Sequence, residues 1–258
     1  MKKVISVCLL VCVLCTCLLS ACARAKTPFE TVNEAIQKTQ ALDSIAATMK
    51  MEMNMAMEGM TLSIPVTAEI KANGLKSDSP VVSTAMSTSM LGQKMDINVY
   101  QEGTWAYVSM EGINYKMDTS KQEAEYDFSG DVDDMLQSLP EDLFKEIQLE
   151  KHDDGSVSVT IPIPEDVFAQ IYGDMIANMN NTAGLDTTLD VKIEDAVVKI
   201  TVANNYISLY EMEFSMTMDV QGVTTKTDVT ASIAYTNPGT PVTITPPEGY
   251  QDFEEIPQ

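Results

Sequence analysis

The chain has 258 residues and a formal net charge of −22, and 45% of its residues are hydrophobic, enough to bury a core and too many for a disordered chain. All five cysteines (Cys8, Cys12, Cys15, Cys17 and Cys22) fall within the first 22 positions. The body therefore has no disulfide, no Cys-ligated zinc and no thiol nucleophile. A single histidine, His152, excludes multi-histidine metal sites, and the acidity excludes nucleic acid as a partner.

In chain order, Met1-Lys2-Lys3 is basic, Val4 to Leu19 is an apolar run, and Leu19-Ser20-Ala21-Cys22 follows. This is the order and spacing of a bacterial lipoprotein signal: residues 1–21 form the leader, small residues fit the peptidase, and Cys22 takes the diacylglycerol. Losing Lys2 and Lys3 takes the charge from −22 to −24. Residues 22–26 are a lipidated cysteine and a tether of roughly 13 Å at full stretch, which sets the domain against the membrane. The expected address is the extracytoplasmic face of the cell membrane, reached through acylated Cys22.

Thr27-Pro28-Phe29-Glu30 is a capping box with proline at the first helical position, so a helix starts there, with Phe29, Val32, Ala35 and Ile36 on one face. From about Ser44 the period changes to two. Met49, Met51, Met53, Met55 and Met57 alternate with Lys50, Glu52, Asn54, Ala56 and Glu58, a strand with one buried and one wet face. After Glu58-Gly59, Leu62, Ile64, Val66, Ala68 and Ile70 continue that face. Strands near 80–91, 94–101, 104–110 and 112–118 are joined by glycine turns, as in an antiparallel meander. Trp105 and Tyr107 share a strand face, which is either cavity mouth, core or outer surface.

Residues 118–154 are strongly acidic and read as two short helices, with Val132, Met135, Leu136 and Leu139 inward on the first and Leu143, Phe144 and Ile147 inward on the second. Asp131-x-Asp133-Asp134 lacks the loop of a calcium site and suits helix capping. Strands near 148–152 and 156–163 flank Asp154-Gly155, with His152 as an exposed turn residue. Pro164 opens a helix over 165–180 with the stripe Phe168, Ile171, Tyr172, Met175, Ile176 and Met179. Strands near 187–193, 197–203, 206–220 and 223–235 follow, and a Pro-rich end in which Val242-Thr243-Ile244 is strand-like.

One string recurs. Met49-x-Met51-x-Met53-x-Met55-x-Met57-x-Gly59 returns 163 positions later as Met212-x-Phe214-x-Met216-x-Met218-x-Val220-x-Gly222, and Val66-Thr67-Ala68-x-Ile70 as Val229-Thr230-Ala231-x-Ile233. Duplication and convergent hairpin constraints both explain it, and both set two methionine-lined hairpins toward one interior. Roughly ten strands at about 4.8 Å spacing are wider than three helices of about 10 Å can cover, so the sheet must curl, expose apolar surface or hold a ligand. The fold class expected is mainly β (α+β): a large antiparallel meander curled into an unclosed half-barrel, about three short helices on its concave side, as one domain over 27–246 with an acidic tail at 247–258.

This order of elements (lipobox, short helix, meander, inserted helices, more long strands, and the closing run from Tyr235-Thr236-Asn237 to Val242-Thr243-Ile244-Thr245-Pro246) resembles the LolA/LolB and LppX/LprG-like superfamily of bacterial lipid-handling lipoproteins. It also resembles uncharacterised Gram-positive lipoproteins of that kind. The resemblance implies an apolar cavity for acyl chains behind helical lids; it carries no ligand motif. The residues expected to line such a cavity are Met51, Met53, Met55, Met57, Phe168, Ile171, Tyr172, Met175, Met212, Phe214, Met216 and Met218. Methionine suits a wall that adapts to varied chains, and equally fills an ordinary core. A thioether copper site is disfavoured, because no His or Cys joins the methionines. No catalytic residue, metal ligand or cofactor is expected. The leading function is non-enzymatic binding of a lipid or other apolar ligand. The alternative is a structural or sensory lipoprotein with a packed core that works through a protein partner.

Overall fold

A computed structural model describes residues 26–57, 59–120, 139–145, 147–168, 190–220 and 223–256, with backbone alone at 57, 190, 191, 219, 220 and 223. Helix α1 spans Pro28–Gln40. Its capping box is formed: the Glu30 amide donates to Thr27 Oγ1 at 3.1 Å, and the Thr27 amide to Glu30 Oε2 at 2.8 Å. Val32, Ala35, Ile36 and Thr39 are its buried face. At its far end Thr39 Oγ1 donates to the Ala35 carbonyl at 2.8 Å and accepts the Ile207 amide at 3.0 Å, so one hydroxyl ties the helix to the sheet.

The strands are β1 (Ser44–Met57), β2 (Met60–Asn73), β3 (Val81–Met90), β4 (Gln93–Glu102), β5 (Trp105–Met110), β6 (Ile113–Asp118), β7 (Glu150–Lys151), β8 (Val157–Pro162), β9 (Asp190–Ala203), β10 (Tyr206–Val220), β11 (Val223–Tyr235) and β12 (Glu254–Glu255). They form one sheet in the order β12-β6-β5-β4-β3-β2-β1-β11-β10-β9-β8-β7, and β7 and β12 do not meet. It is an unclosed, mostly β architecture, as expected for a half-barrel. Two meanders, β1–β6 and β7–β11, join where β1 runs antiparallel to β11, with Met49 opposite Ile233. Gly59, Gly92 and Gly112 take positive φ (87°, 81° and 82°) in hairpin turns at one end of the sheet, where glycine alone adopts that conformation freely.

Three local expectations are corrected. The break expected between 193 and 197 is absent, and β9 runs through it. Asp195 (φ 55°) and Ala196 both stand opposite Phe214, a bulge that shifts the alternation by one. Ile193 and Val198, of opposite parity, consequently both point into the core. The helix expected after Pro140 is one 3₁₀ turn, Glu141–Phe144, held by Leu143 to Pro140 and Lys145 to Asp142 backbone bonds. Val242-Thr243-Ile244 is not a strand; proline on both sides removes donors. Residues 165–168 form a helical turn behind Pro164, and the remainder of the 165–180 helix lies outside the described residues, as do Val132, Met135, Leu136 and the Asp131-x-Asp133-Asp134 cluster.

The packed core lies on one face of the sheet, under α1. Val32 and Ile36 meet Val159, Ile161, Ile193, Val198, Ile200 and Ile207, with Leu139, Phe144 and Phe168 closing over them. Phe29 and Phe144 pack edge to face at 5.2 Å between ring centres.

Candidate functional site: a methionine-rowed concave face

Directly opposed residues of antiparallel strands share a face, so the register defines that face row by row. One row crosses eight strands: Tyr210, Ile233, Met49, Ala68, Met86, Ile97, Met110, Ile113. The next is Met212, Ala231, Met51, Val66, Thr88, Met95. Above it come Phe214, Val229, Met53, Ile64, and then Met216, Thr227, Met55, Leu62. Met218 pairs with Thr225, and Met57 with Met60. Lys50, Glu52, Glu69 and Lys71 occupy the opposite face and are exposed. Sequence parity thus identified the face: Met51, Met53, Met55, Met212, Phe214, Met216 and Met218 stand side by side on it. Phe168 joins them through Phe214, ring centres 5.3 Å apart. The side chain of Met57 and all of Ile171, Tyr172, Met175 and Cys22 lie outside the described residues.

The internal repeat has a structural counterpart. Met49 pairs with Ala68 and Met212 with Ala231; Met53 pairs with Ile64 and Met216 with Thr227. The β1–β2 and β10–β11 hairpins therefore have identical register under the shift of 163, and they are neighbours in the sheet.

Packing divides this face, although Met212, Phe214 and Met216 are themselves half-buried. Met212, Phe214 and Met216 pack against the core under α1, and Tyr210 Oη donates to Met212 Sδ at 3.8 Å. Met51, Met53 and Met55, two strands away, are half-buried, as are Leu62, Ile64 and Val66. Three of the rows end on an exposed apolar side chain (Ile113 63% exposed, Met95 40% and Met60 68%), and the two between them end on half-buried Ile64 and Leu62. Within the rows Thr227 is 3% exposed, and its Oγ1 has no hydrogen-bond partner among the described residues, an uncommon condition for a buried hydroxyl.

A separate cleft of about 820 Å³ lies at the far edge, between the outer side of β8 (Ser158, Thr160, Pro162) and the 3₁₀ segment (Asp142, Leu143, Lys145, Ile147). None of the methionines lines it. His152 is a half-buried turn residue whose Nε2 is 2.7 Å from Ser158 Oγ, itself 2.9 Å from Thr201 Oγ1. That hydroxyl relay braces the β7–β8 turn. Among the described residues no three potential metal ligands cluster, and no helix is long and apolar enough to cross a membrane.

The outer face holds what the sequence did not disclose. Tyr100 and Tyr107 are opposite each other on β4 and β5, in the phase of the polar residues. Tyr250 packs on both, ring centres at 5.1 and 4.8 Å, Phe253 reaches Tyr107 at 6.2 Å, and β12 pairs in parallel with Tyr115 and Lys116 of β6. Tyr250 Oη donates to Glu102 Oε2 at 3.1 Å. Covered in this way, Tyr100 is 3% exposed, and burial, helped by the Glu102 charge, pushes its pKa up to about 12. Trp105 also lies on this outer face, with Lys116 Nζ 5.7 Å above its ring. Aromatic side chains out of phase with their strand were the available signal that something covers that surface.

Among solved structures, LprF from Mycobacterium bovis is 13% identical, with 87% of this chain and 100% of that one covered at a TM-score of 0.41. A β-barrel-like protein of the DUF1849 family from Brucella abortus is 5% identical (75% and 98% covered, TM-score 0.24). A DUF1329 family protein from Desulfovibrio piger is 11% identical (82% and 92% covered, TM-score 0.21). No curated protein matches. Residues 27–248, the whole span from the capping box through the tail's approach to the outer face, match DUF6612, and the chain belongs to that family of unknown function.

Proposed function

We propose that this protein is a membrane-anchored, extracytoplasmic lipoprotein that binds a lipid or other apolar ligand along its methionine-rowed concave face, without catalysis. The observation that carries this reading is a division in packing: Met212, Phe214 and Met216 lie against the core under α1, whereas Met51, Met53, Met55, Ile64 and Val66, equally half-buried, have no place in that core among the described residues. Half-buried methionines beside a sealed core offer flexible, polarizable contacts to a chain lying along them. Burying such side chains further is favourable by about 25 cal/mol per Å² of apolar area removed from water. Anchoring rests on the Leu19-Ser20-Ala21-Cys22 sequence.

Native mass spectrometry of the protein purified from its own membrane tests the ligand, and a fatty acid added to delipidated protein tests the site. At a free concentration of about 100 Kd the fatty acid stabilises the fold by about 2.7 kcal/mol, a Tm rise of about 5–10 °C for a domain of this size. Flat melts across several lipid classes, with no co-purified lipid, would favour a filled half-barrel acting through a protein partner. Replacing Cys22 by Ser should release the protein from the membrane; a variant that stays bound, with unmodified Cys22 in the parent, removes the anchor.

A further inference from the structure

The ends of the apolar rows form a rim. The β1–β2, β3–β4 and β5–β6 turns are at the same end of the sheet, and the rows shorten stepwise toward β1, because β3 pairs no further along β2 than Val66 and β5 no further along β4 than Ile97. Met60, Met90, Met95 and Ile113 share the register of the concave face and are 68%, 54%, 40% and 63% exposed. Their outer-face neighbours Thr61, Ser89, Lys94, Asp96 and Asn114 are polar, and Lys94 and Asp96 pair at 2.8 Å. The rim is therefore apolar inward and polar outward.

Leu91 stands at the tip of β3–β4, 82% exposed and at φ 52°. A left-handed turn position suits Asn or Gly, and a leucine there is disfavoured both by its backbone and by its exposure to water. Such double disfavour points to a role outside the fold. From Ser79 to Gln93 no residue is charged, in a chain where 21% are. This tip can thus enter a low-dielectric phase without desolvating a charge. The net charge of −22 opposes docking of a second copy and of an anionic surface, but not of an uncharged one.

We infer that the β3–β4 tip of this rim, led by Leu91 and Met90, dips into the hydrocarbon edge of a lipid bilayer and sets the concave face open to it, while the flanking turns, which carry Glu58 and Glu111, stay at the polar surface. The inference rests on the lipid-binding reading for its purpose, not for its geometry. The test uses the acylated full chain carrying Gln93→Cys; on that reading Cys22 is blocked and the other four cysteines leave with the leader, so residue 93 holds the one thiol for an environment-sensitive dye. Reconstituted in phosphatidylcholine vesicles with quencher-bearing acyl chains, the label at 93 should be quenched severalfold more than one at Leu75→Cys, at the opposite end. Adding Leu91→Asn, which suits the turn, should abolish the difference without lowering the Tm. Equal quenching at 93 and 75 overturns the inference. So does protection at 93 in native membranes alone, which would assign the rim to a protein. Lipid found by native mass spectrometry with no quenching at 93 defeats the rim alone; quenching with no bound lipid defeats the ligand reading alone.

Discussion

Two threonines show how the same side chain stabilises or burdens this fold according to its partners. Thr39 Oγ1 donates to Ala35 and accepts from Ile207, so Thr39→Val strands a buried amide and should cost about 1–3 kcal/mol. Thr227 Oγ1 has no partner among the methionines, so Thr227→Val, of equal shape, should be neutral or stabilise by up to about 1 kcal/mol. Denaturant titration of both variants checks the pair. A loss at Thr227 comparable to that at Thr39 would mean that its hydroxyl is satisfied by a bound molecule. Strand parity supplies the companion case. Asn54→Lys, on the wet face, should leave the melt within about 0.5 kcal/mol, whereas Met53→Lys puts an ammonium among Ile64, Val229 and Phe214 and should cost more than about 1 kcal/mol.

At the scale of elements, alternation carried most of the information. Met49 to Met55 against Lys50 to Asn54 was enough to orient β1, and the shift of 163 reproduced the register of the second hairpin. Where alternation slips, the sequence misled: Ile193 and Val198 have opposite parity, so one bulged strand looked like two. The tail could not be derived from local pattern, because its Pro-rich and acidic residues gain order from the outer face of β4 to β6 (Tyr100, Glu102, Tyr107 and the β6 edge), more than 130 positions earlier. That clasp makes a pH prediction. Tyr100 ionises at about 12 when folded against 10.0 ordinarily, so its protonated burial supports the fold fully below pH 10, and that support is lost as the pH rises from 10 through 12. Removing the cover with Tyr250→Ala should bring the Tyr100 titration, followed by tyrosinate absorbance, back toward 10. An unchanged titration would mean that the tail is not what buries it.

For the whole molecule, charge is a burden and not a brace. The ion pairs among the described residues (Lys26–Glu34, Lys94–Asp96, Lys145–Asp142, Lys192–Glu194 and Lys226–Asp228) leave every partner at least 43% exposed, and such pairs are worth little. Self-repulsion at −22 should dominate. Raising sodium chloride from ~0.01 to ~0.15 M shortens the screening length from ~30 to ~8 Å and should raise the Tm. A fall would show that the pairs matter more than the net charge.

The junction of β1 with β11 has a consequence for how the chain assembles. Pairing within β1–β6 and within β7–β11 is between sequence neighbours, whereas Met49 finds Ile233 only by closing a long stretch of chain. Loop-closure entropy makes such a pairing late, so the two meanders form first as separate units and zip together last. Until that moment one unit presents the methionine-rowed edge of β1 and the other the Ile233, Ala231, Val229 and Thr227 edge of β11, and two copies at high concentration can exchange partners across them, β1 of one chain against β11 of another. The feature that unites the molecule is thus also its most exposed point during biogenesis, and its natural route to a swapped dimer.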